Sequence, residues 1–464
     1  MSVTRTYRPV VDPDRCETCG VCEGACPGRL LPGLAGEAGT VRGGAARLDL
    51  PGDGRAPCEA ACPLGQGVRE YVEHLARGRP DAALDAIRRD NPLPRVTGYL
   101  CHRPCEGACV RTGMDDPVGI RALKLRAASQ GAASAPVPAR ETRPGTAGAR
   151  VAVVGSGPAG LAAAWELSRA GCRVTLVEAD EGLGGMLRSA IPAFRLPPEA
   201  LEQDLSDLAS LGWEVRTGCR VERPADLSAL RAEGHEAVLL ALGAAVGLPL
   251  AVPGWGGQGC LDALGFLRRY GHGAAGRLEG DVVVVGGGNV ALDAARAAVR
   301  CGASRVCVVY RRDRAEMPAD PQEVAEAEAE GVELRLRALP TRIALEGGRV
   351  AALEGMATRP GPPDGSGRPR PVAVEDAPWR VKADWILAAV GQRPDHAWLG
   401  PERVHGDGRL RVGHDGGVPG MPGVFGAGDG VAGPTFVTEA MASGREAARR
   451  ILEHLEEARE PAQP

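Results

Sequence analysis

Two segments of the chain share a strand–turn–helix pattern, and this repeat constrains the fold more than any other feature. The first segment reads VAVVGSGPAG at Val151–Gly160, and the second reads VVVVGGGNVA at Val282–Ala291. Each begins with an apolar run typical of a buried parallel strand and continues into a helical pattern and a further apolar run. Two such βαβ units predict two doubly wound domains of the Rossmann type.

The turn of the first unit carries a complete phosphate-binding pattern, G-x-G-x-x-G. Its glycines are Gly155, Gly157 and Gly160. Glycine at these positions permits a tight turn, lets the backbone approach a pyrophosphate and lets the helix pack closely on the strand. Glu178 ends the next strand, where a carboxylate can accept hydrogen bonds from ribose hydroxyls, and Gly185 in EGLGGML fits a further close approach. A glycine-rich turn without a ligand is the alternative, but it would not require the terminal acid.

The turn of the second unit has the same pattern with a different ending. Gly286, Gly288 and Ala291 fill the three positions, and the following strand ends in Tyr310-Arg311-Arg312 without an acidic residue. A carboxylate there would repel a 2′-phosphate, whereas arginines bind one through charge-assisted hydrogen bonds. The pair Arg311 and Arg312 therefore predicts NADPH in preference to NADH. The alternative is that both arginines are solvated surface charges.

Nine of the fourteen cysteines lie in two groups before residue 130. The first group has the bacterial ferredoxin spacing and consists of Cys16, Cys19, Cys22 and Cys26. The second group has three-residue spacings and consists of Cys58, Cys62, Cys101, Cys105 and Cys109. A zinc site is the main alternative for the first group, and a chance stripe of core residues is the alternative for the second. Two all-cysteine [4Fe–4S] clusters need eight thiolates, so nine thiols lead us to expect two clusters.

The combination of these sites predicts electron transfer. Iron–sulfur clusters carry single electrons, a flavin converts between one and two, and a nicotinamide carries a hydride. His102, which follows Cys101, is interpreted as a loop residue and not as a ligand. The remaining five cysteines are scattered, and we expect them in the protein core.

Composition excludes several other classes of protein. The net charge of −4 argues against a strongly basic nucleic-acid binder, and no run of 18 apolar residues predicts a membrane span. The N-terminus has no apolar signal core. Cysteines spaced as metal ligands suit a reducing compartment, so we expect a cytoplasmic protein.

From residue 58 to the C-terminus, the chain resembles the small (beta) subunit family of NADPH-dependent glutamate synthase. The N-terminal half of dihydropyrimidine dehydrogenase is related to this family. The motifs that carry the resemblance are CEAACP, CHRPCEGACVR, GSGPAGLAAA, GGMLRSAIPAFRLP, GGGNVALDAAR, YRRDRAEMP, AVGQRPD and GVFGAGD. The family has a further cysteine pair where this chain reads GDGRAP, and some relatives use a non-cysteine ligand near Lys124, for which lysine is a poor candidate.

The resemblance implies two nucleotide sites and a direction of electron flow. FAD would be bound by Gly155, Gly157, Gly160, Glu178, Gly185, Gly428 and Asp429, with the aspartate on the ribityl–phosphate arm. NADPH would be bound by Gly286, Gly288, Asn289, Arg311 and Arg312. Electrons would pass from NADPH to FAD, then to the clusters, then to a partner. No catalytic side chain is assigned.

The expected fold class is α/β. It comprises two Rossmann-like dinucleotide-binding domains, with the NADPH domain inserted in the FAD domain, preceded by a mainly α-helical iron–sulfur domain. Residues 1–57 would hold the ferredoxin-type cysteines and a Gly-rich connector, and 58–130 the helical [4Fe–4S] domain. The FAD domain would comprise 149–256 and 395–464, and the NADPH domain 257–394.

The leading hypothesis for function is an NADPH:acceptor oxidoreductase of the glutamate synthase small-chain type. Its acceptor would be a catalytic partner subunit, such as the glutamate synthase large subunit, or ferredoxin. A second hypothesis keeps the redox centres for NAD(P)H–ferredoxin exchange or service to a dehydrogenase. A disulfide reductase would need a cysteine pair beside the flavin, which the first unit lacks. A non-catalytic electron-transfer or scaffold subunit would not need the intact phosphate-binding pattern of the second βαβ unit.

Overall fold

The computed structural model describes residues 55–113, 115–132, 146–365 and 367–459 of the 464-residue chain. The predicted ferredoxin-type ligands Cys16, Cys19, Cys22 and Cys26 lie outside the described residues. None of the described helices is long and apolar enough to cross a membrane.

The described elements alternate between helices and strands after an all-helical beginning. The helices are α1 Pro57–Ala60, α2 Val68–Ala76, α3 Pro80–Arg88, α4 Pro94–Leu100, α5 Pro104–Gly107, α6 Ile120–Gln130, α7 Pro158–Arg169, α8 Met186–Ser189, α9 Pro198–Ala209, α10 Pro224–Ala232, α11 Ala263–Gly271, α12 Asn289–Arg300, α13 Pro321–Ala329, α14 Asp429–Ala432 and α15 Val437–Arg459. The strands are β1 Arg150–Val154, β2 Arg173–Val177, β3 Glu214–Arg216, β4 Ala237–Leu240, β5 Val246–Gly247, β6 Cys260–Asp262, β7 Asp281–Val285, β8 Arg305–Val309, β9 Glu333–Arg335, β10 Ala338–Glu346, β11 Arg349–Pro363, β12 Pro369–Lys382, β13 Trp385–Ala388, β14 Gln392–Arg393 and β15 Val424–Gly426.

Residues 55–113 and 115–132 form a helical unit that we call the cysteine module. Four of its six α-helices begin with proline, whose fixed φ and missing N–H suit the first helical position. These helices confirm the mainly α-helical character that the sequence predicts for this part of the chain. Val68, Tyr71, Ala83 and Ile87 on these helices are buried in one small core.

Two five-stranded parallel sheets follow the module, and their strand order and parallel direction confirm the predicted fold class. The first sheet has the order β15-β4-β1-β2-β3, and the second has the order β6-β13-β7-β8-β9. All five strands of the second sheet lie between β4 and β15 in the sequence, so the second domain is inserted into the first. The chain passes between the two nucleotide domains twice, and β5 and β14 pair there as a two-stranded antiparallel ladder.

The antiparallel sheet β10-β11-β12 was not predicted. It belongs to the inserted domain, and its residues Ile343, Leu353 and Trp379 pack against Val283 and Val309 of the parallel sheet. It therefore covers one face of the second nucleotide domain.

The cysteine module is anchored to the first nucleotide domain by buried polar contacts. Arg445 of α15 donates to the carbonyl oxygens of Leu64 (3.0 Å) and Asp90 (2.8 Å) and pairs with Glu166 of α7. Asp204 of α9 accepts hydrogen bonds from the backbone N–H of Val96 and from the Arg95 side chain. These contacts join the module to α7, α9 and α15 of the first nucleotide domain.

Candidate functional site

The first phosphate-binding pattern, the first fingerprint Gly155–Gly160, forms the turn between β1 and α7. Each of its glycines is required for a different reason. Gly155 has φ +101°, and a Cβ on it would lie 2.4 Å from the Ala241 carbonyl oxygen. A Cβ on Gly160 would lie 1.8 Å from the carbonyl oxygen of Gly155, so α7 packs directly on the turn. A Cβ on Gly157 would meet nothing within 4 Å. This open position at a helix N-terminus fits the approach of a dinucleotide pyrophosphate.

Glu178 forms hydrogen bonds with the same turn. Its buried carboxylate accepts hydrogen bonds from the backbone N–H and hydroxyl of Ser156 and from the N–H of Asp180. Gly185 lies over the turn with φ +54°, and a Cβ on it would be 3.0 Å from the Cα of Gly157. The residues named from the sequence therefore meet in one cradle. Ser156 was missed because it occupies a variable position of the pattern.

Gly428 and Asp429 bring the end of the first sheet to this cradle. Gly428 has φ +69°, and a Cβ on it would lie 2.7 Å from that of Ala159 in α7. The Asp429 carboxylate accepts hydrogen bonds from the N–H (3.1 Å) and hydroxyl (2.6 Å) of Thr435. Burial raises the pKa of Asp429 above its ordinary value. Gly428 therefore lies beside α7 at the cradle, and the flavin role of Gly428 and Asp429 stays a prediction.

The second fingerprint repeats this geometry in the inserted domain. A Cβ on Gly286 would lie 2.3 Å from the Ala389 carbonyl oxygen, while the nearest contact for one on Gly288 would be Pro318 at 3.8 Å. Asn289 begins α12, and its side-chain oxygen accepts a hydrogen bond from the backbone N–H of Asp320 at 3.0 Å. The open Gly288 position fits a second dinucleotide.

The two arginines after β8 have different surroundings. Arg311 is exposed, and its side chain makes no hydrogen bond or ion pair within the part of the chain that the structure describes. Arg312 is buried, donates from Nε to the carbonyl oxygen of Pro369 at 2.9 Å and pairs with Asp364. Only Arg311 is therefore available to a 2′-phosphate without breaking a contact. Arg312 would first have to leave the β11–β12 hairpin.

The five cysteines of the second group come together in the module as a trio and a pair. The trio of Cys62, Cys101 and Cys105 lines one cavity, and burial, followed by the thiols of Cys101 and Cys62, raises the pKa of Cys105. Cys58 and Cys109 form the pair: burial and the Glu59 carboxylate raise the pKa of Cys58 most, and the Cys109 thiol raises it further. The backbone N–H of Arg103 donates to Sγ of Cys101 at 3.4 Å.

The chemistry of this donor set fits a cluster. Burial is the main cause that raises the pKa of Cys58 to about 11 and that of Cys105 to about 12, so bound iron would have to displace their protons. Lys124 lines the trio's cavity, is 4% exposed and has no ion-pair partner among the described residues. Buried charges are normally paired, and thiolates on iron would supply the missing negative charge.

A single metal ion fits less well. Among the described residues, no group of three or more His, Cys, Asp or Glu side chains could hold one metal ion. A cubane spreads its thiolates over separate iron atoms, so the donors need not converge on one point.

The remaining cysteines only partly follow the prediction that they lie in the core. Cys172 and Cys307 are buried, whereas Cys219 is exposed, so the prediction is wrong for Cys219. All ten cysteines in the described ranges are free thiols. The described residues therefore include no disulfide.

Family models match both parts of the chain. Residues 149–444 match the pyridine nucleotide-disulphide oxidoreductase family, and residues 53–135 match dihydropyrimidine dehydrogenase domain II, 4Fe-4S cluster. The glutamate synthase [NADPH] small chain of Azospirillum brasilense is 34% identical over 85% of this chain and 85% of its own length.

Two further relatives are longer than the region they share with this chain. The NADP(+)-dependent formate dehydrogenase subunit beta of Moorella thermoacetica is 35% identical over 92% of this chain. The NADPH-Fe(3+) oxidoreductase subunit beta of Geobacter sulfurreducens is 36% identical over 87% of it. The matched region spans 64% of the length of each of these relatives.

A solved structure supports the same fold. FprA of Mycobacterium tuberculosis in complex with NADPH superposes with a TM-score of 0.57 at 20% identity, over 68% of this chain and 87% of its own. The matches together show a pyridine nucleotide oxidoreductase unit preceded by a 4Fe-4S domain. The chain belongs to the pyridine nucleotide-disulphide oxidoreductase family, in the group that contains the small chain of NADPH-dependent glutamate synthase.

Proposed function

We propose that this chain passes electrons from NADPH through FAD to [4Fe–4S] clusters in the cysteine module and then to a partner subunit. The observation that carries the proposal is the position of the segment Cys101–Arg103. His102 contacts the first nucleotide domain at Phe436, and Nη2 of Arg103 donates to both carboxylate oxygens of Asp320 in the second, at 2.6 Å each. One loop of the module thus touches both nucleotide domains and contains a cluster ligand candidate.

The residues of the chain bind and orient the cofactors, and no side chain is assigned a proton-transfer role. The Gly155–Gly160 turn would hold the FAD pyrophosphate, Glu178 the ribose and Asp429 the ribityl–phosphate arm. Gly286, Gly288 and Asn289 would hold NADPH, and Arg311 would contact its 2′-phosphate. When bound, the nicotinamide supplies a hydride, the flavin splits it into single electrons and the clusters carry them.

We propose two clusters. The trio would ligate one, and the Cys58–Cys109 pair would serve the other together with cysteines from Cys16–Cys26. The trio has three thiols, and the cavity also contains Lys124 and the amide of Gln66, whose buried Nε2 has no hydrogen-bond partner. The free thiols of the described ranges suit a reducing compartment, which supports a cytoplasmic location.

The acceptor is proposed to be a catalytic partner subunit of the glutamate synthase type. The high coverage of the small-chain relative in both directions supports this choice. The second candidate is electron transfer with a dehydrogenase subunit or ferredoxin. It is favoured by the formate dehydrogenase relative, whose match extends over a larger share of this chain.

Purification of the native complex without oxygen would distinguish these candidates. We expect the chain to co-purify with a glutamate-forming large subunit. A formate-oxidising or other dehydrogenase subunit would support the second candidate instead. If the chain purified alone and reduced ferredoxin with NADPH, ferredoxin would be the acceptor and the subunit proposal would be wrong.

A further inference from the structure

His102 and Phe436 form a direct contact between the cysteine module and the first nucleotide domain. Their rings are stacked, with centroids 4.1 Å apart and an angle of 16° between the planes. His102 directly follows Cys101 of the trio, and Phe436 directly precedes α15. The stack therefore connects a cluster ligand candidate to the segment that begins at Asp429.

The His102–Phe436 stack is linked to Asp429 on one side and to Cys101 on the other. Thr435, the neighbour of Phe436, donates two hydrogen bonds to the Asp429 carboxylate, at 3.1 Å and 2.6 Å. On the other side, a single peptide bond joins His102 to Cys101, which lines the trio's cavity. Covalent bonds, two hydrogen bonds and one ring stack thus lead from the proposed flavin arm to the trio.

The ring of His102 has no other evident role in the described structure. Its Nδ1 is buried and has no hydrogen-bond partner, and its Nε2 lies 3.9 Å from the Glu439 carboxylate, which is too long for a hydrogen bond. His102 is also absent from the residues that line the trio's cavity. Its largest specific contact is therefore the face of Phe436.

The neighbouring contact of the same loop does not compete for this role. Arg103 pairs with Asp320, which belongs to the second nucleotide domain. A nicotinamide delivers a hydride to its flavin and exchanges no single electrons with a cluster. The Arg103–Asp320 pair can orient the two domains, but single electrons have to leave from the flavin side of the loop.

We propose that the His102–Phe436 stack is the contact across which electrons pass from the flavin to the cluster held by the trio. Both side chains are positioning residues that set the gap between the two centres. The inference rests on the proposed function. Each NADPH is oxidised to NADP⁺ and gives up a hydride. Its two electrons leave the flavin one at a time, each reduces the cluster once, the acceptor reoxidises the cluster, and a proton is released to solvent.

The test uses the full-length protein, mixed with NADPH without oxygen in a stopped-flow instrument. Flavin absorbance reports hydride transfer, and freeze-quenched EPR reports cluster reduction. In His102→Ala and Phe436→Ala we expect unchanged flavin reduction and at least about ten-fold slower cluster reduction. The double variant should be little slower than either single variant, because both changes remove the same contact. His102→Phe keeps a stacking ring and should restore the rate.

His454→Ala is a matched control, because His454 also contacts a phenylalanine, Phe425, with ring centroids 5.5 Å apart, and both residues belong to the first nucleotide domain. Its rates should equal those of the unmodified protein. FAD content, iron content and cluster potentials are measured in every variant. Normal cluster reduction in Phe436→Ala, or failure of His102→Phe to restore the rate, would overturn the inference. Iron loss in Phe436→Ala would also overturn it, because the stack would then be structural. Absence of flavin reduction by NADPH in the unmodified protein would contradict the proposed function instead.

Discussion

At the scale of single residues, the glycines of the first fingerprint differ in what they can tolerate. Gly155 has a positive φ and faces a carbonyl oxygen, and Gly160 has no room for a methyl group. Gly157 has φ −68° and faces open space. Only Gly157 can therefore be replaced by alanine without changing the fold.

We expect Gly157→Ala to bind FAD at least about ten-fold more weakly, because the methyl group would occupy the space that a pyrophosphate needs. The unfolding free energy of the FAD-free protein should change by no more than about 1 kcal/mol. FAD titration and urea unfolding measure the two quantities. Gly160→Ala is the control, and it should impair folding itself. Unchanged FAD affinity in Gly157→Ala would remove the fingerprint from the flavin site.

Arg311→Ala should weaken NADPH binding by about ten-fold or more, because a charged hydrogen bond contributes about 1.5–3 kcal/mol. NADH binding should stay nearly the same. Arg312→Ala is the matched comparison, since its ion pair with Asp364 predicts a loss of stability in the hairpin. Equal losses for NADPH and NADH in Arg311→Ala would show that this residue does not read the phosphate. A selective NADPH loss in Arg312→Ala, without a stability change, would assign the phosphate to both arginines.

The sequence predicted the positions of the glycines because their constraints are local to one turn. It could not predict the surroundings of Arg312, because its partner Asp364 lies on a hairpin more than 50 residues later. The role of Ser156 could not be predicted either, because its hydrogen bond to Glu178 links the turn after β1 to the end of β2. Local patterns give backbone requirements, whereas side-chain partners depend on tertiary packing.

At the scale of elements, Asp204 joins α9 to α4 of the cysteine module. Its carboxylate is fully buried and accepts from the Val96 N–H at 2.9 Å and from Arg95 at 3.0 Å. Asp204→Ala should therefore lower the free energy of unfolding by about 1–3 kcal/mol, because it leaves the buried Val96 N–H unpaired and removes one of the two carboxylates that pair with Arg95, the other being Asp207. Urea unfolding measures the change.

Glu202→Ala on the same helix is the control, because Glu202 is exposed and pairs with Arg188 at the surface. Such a surface pair contributes about 0–1 kcal/mol. If both variants lost the same stability, Asp204 would not anchor the module.

The β10-β11-β12 sheet shows why one element escaped prediction. The segment from the end of β11 to the start of β12 reads RPGPPDGSGRPRP, and such a run of proline and glycine is typical of a loop. In the structure β12 is an edge strand that pairs only with β11, and proline is tolerated at an edge. The pairing with β11 forms the strand despite its composition.

At the scale of the whole molecule, the order of domains followed from the two repeats, but the docking of the module did not. Its contacts join residues 100 to more than 300 positions apart, such as Arg445 with Leu64. The cofactor content tests the cluster assignment for the whole molecule. We expect the anaerobically purified protein to contain one FAD and about eight iron atoms per chain. Cys101→Ser should lower the iron content to about four atoms per chain, because it removes one ligand of the trio's cluster. Four irons in the unmodified protein would indicate one cluster, and zinc would contradict the assignment.

The most direct test of the account is the order in which the centres of the full-length protein accept electrons from NADPH. Oxidised protein is mixed with NADPH in the absence of oxygen and of any acceptor. Flavin absorbance and cluster EPR signals are then followed in time. We predict that the flavin is reduced first and that cluster signals then appear, before any partner is added. Clusters that dithionite reduces but NADPH does not, while the flavin is fully reduced, would contradict electron transfer from the flavin to the module.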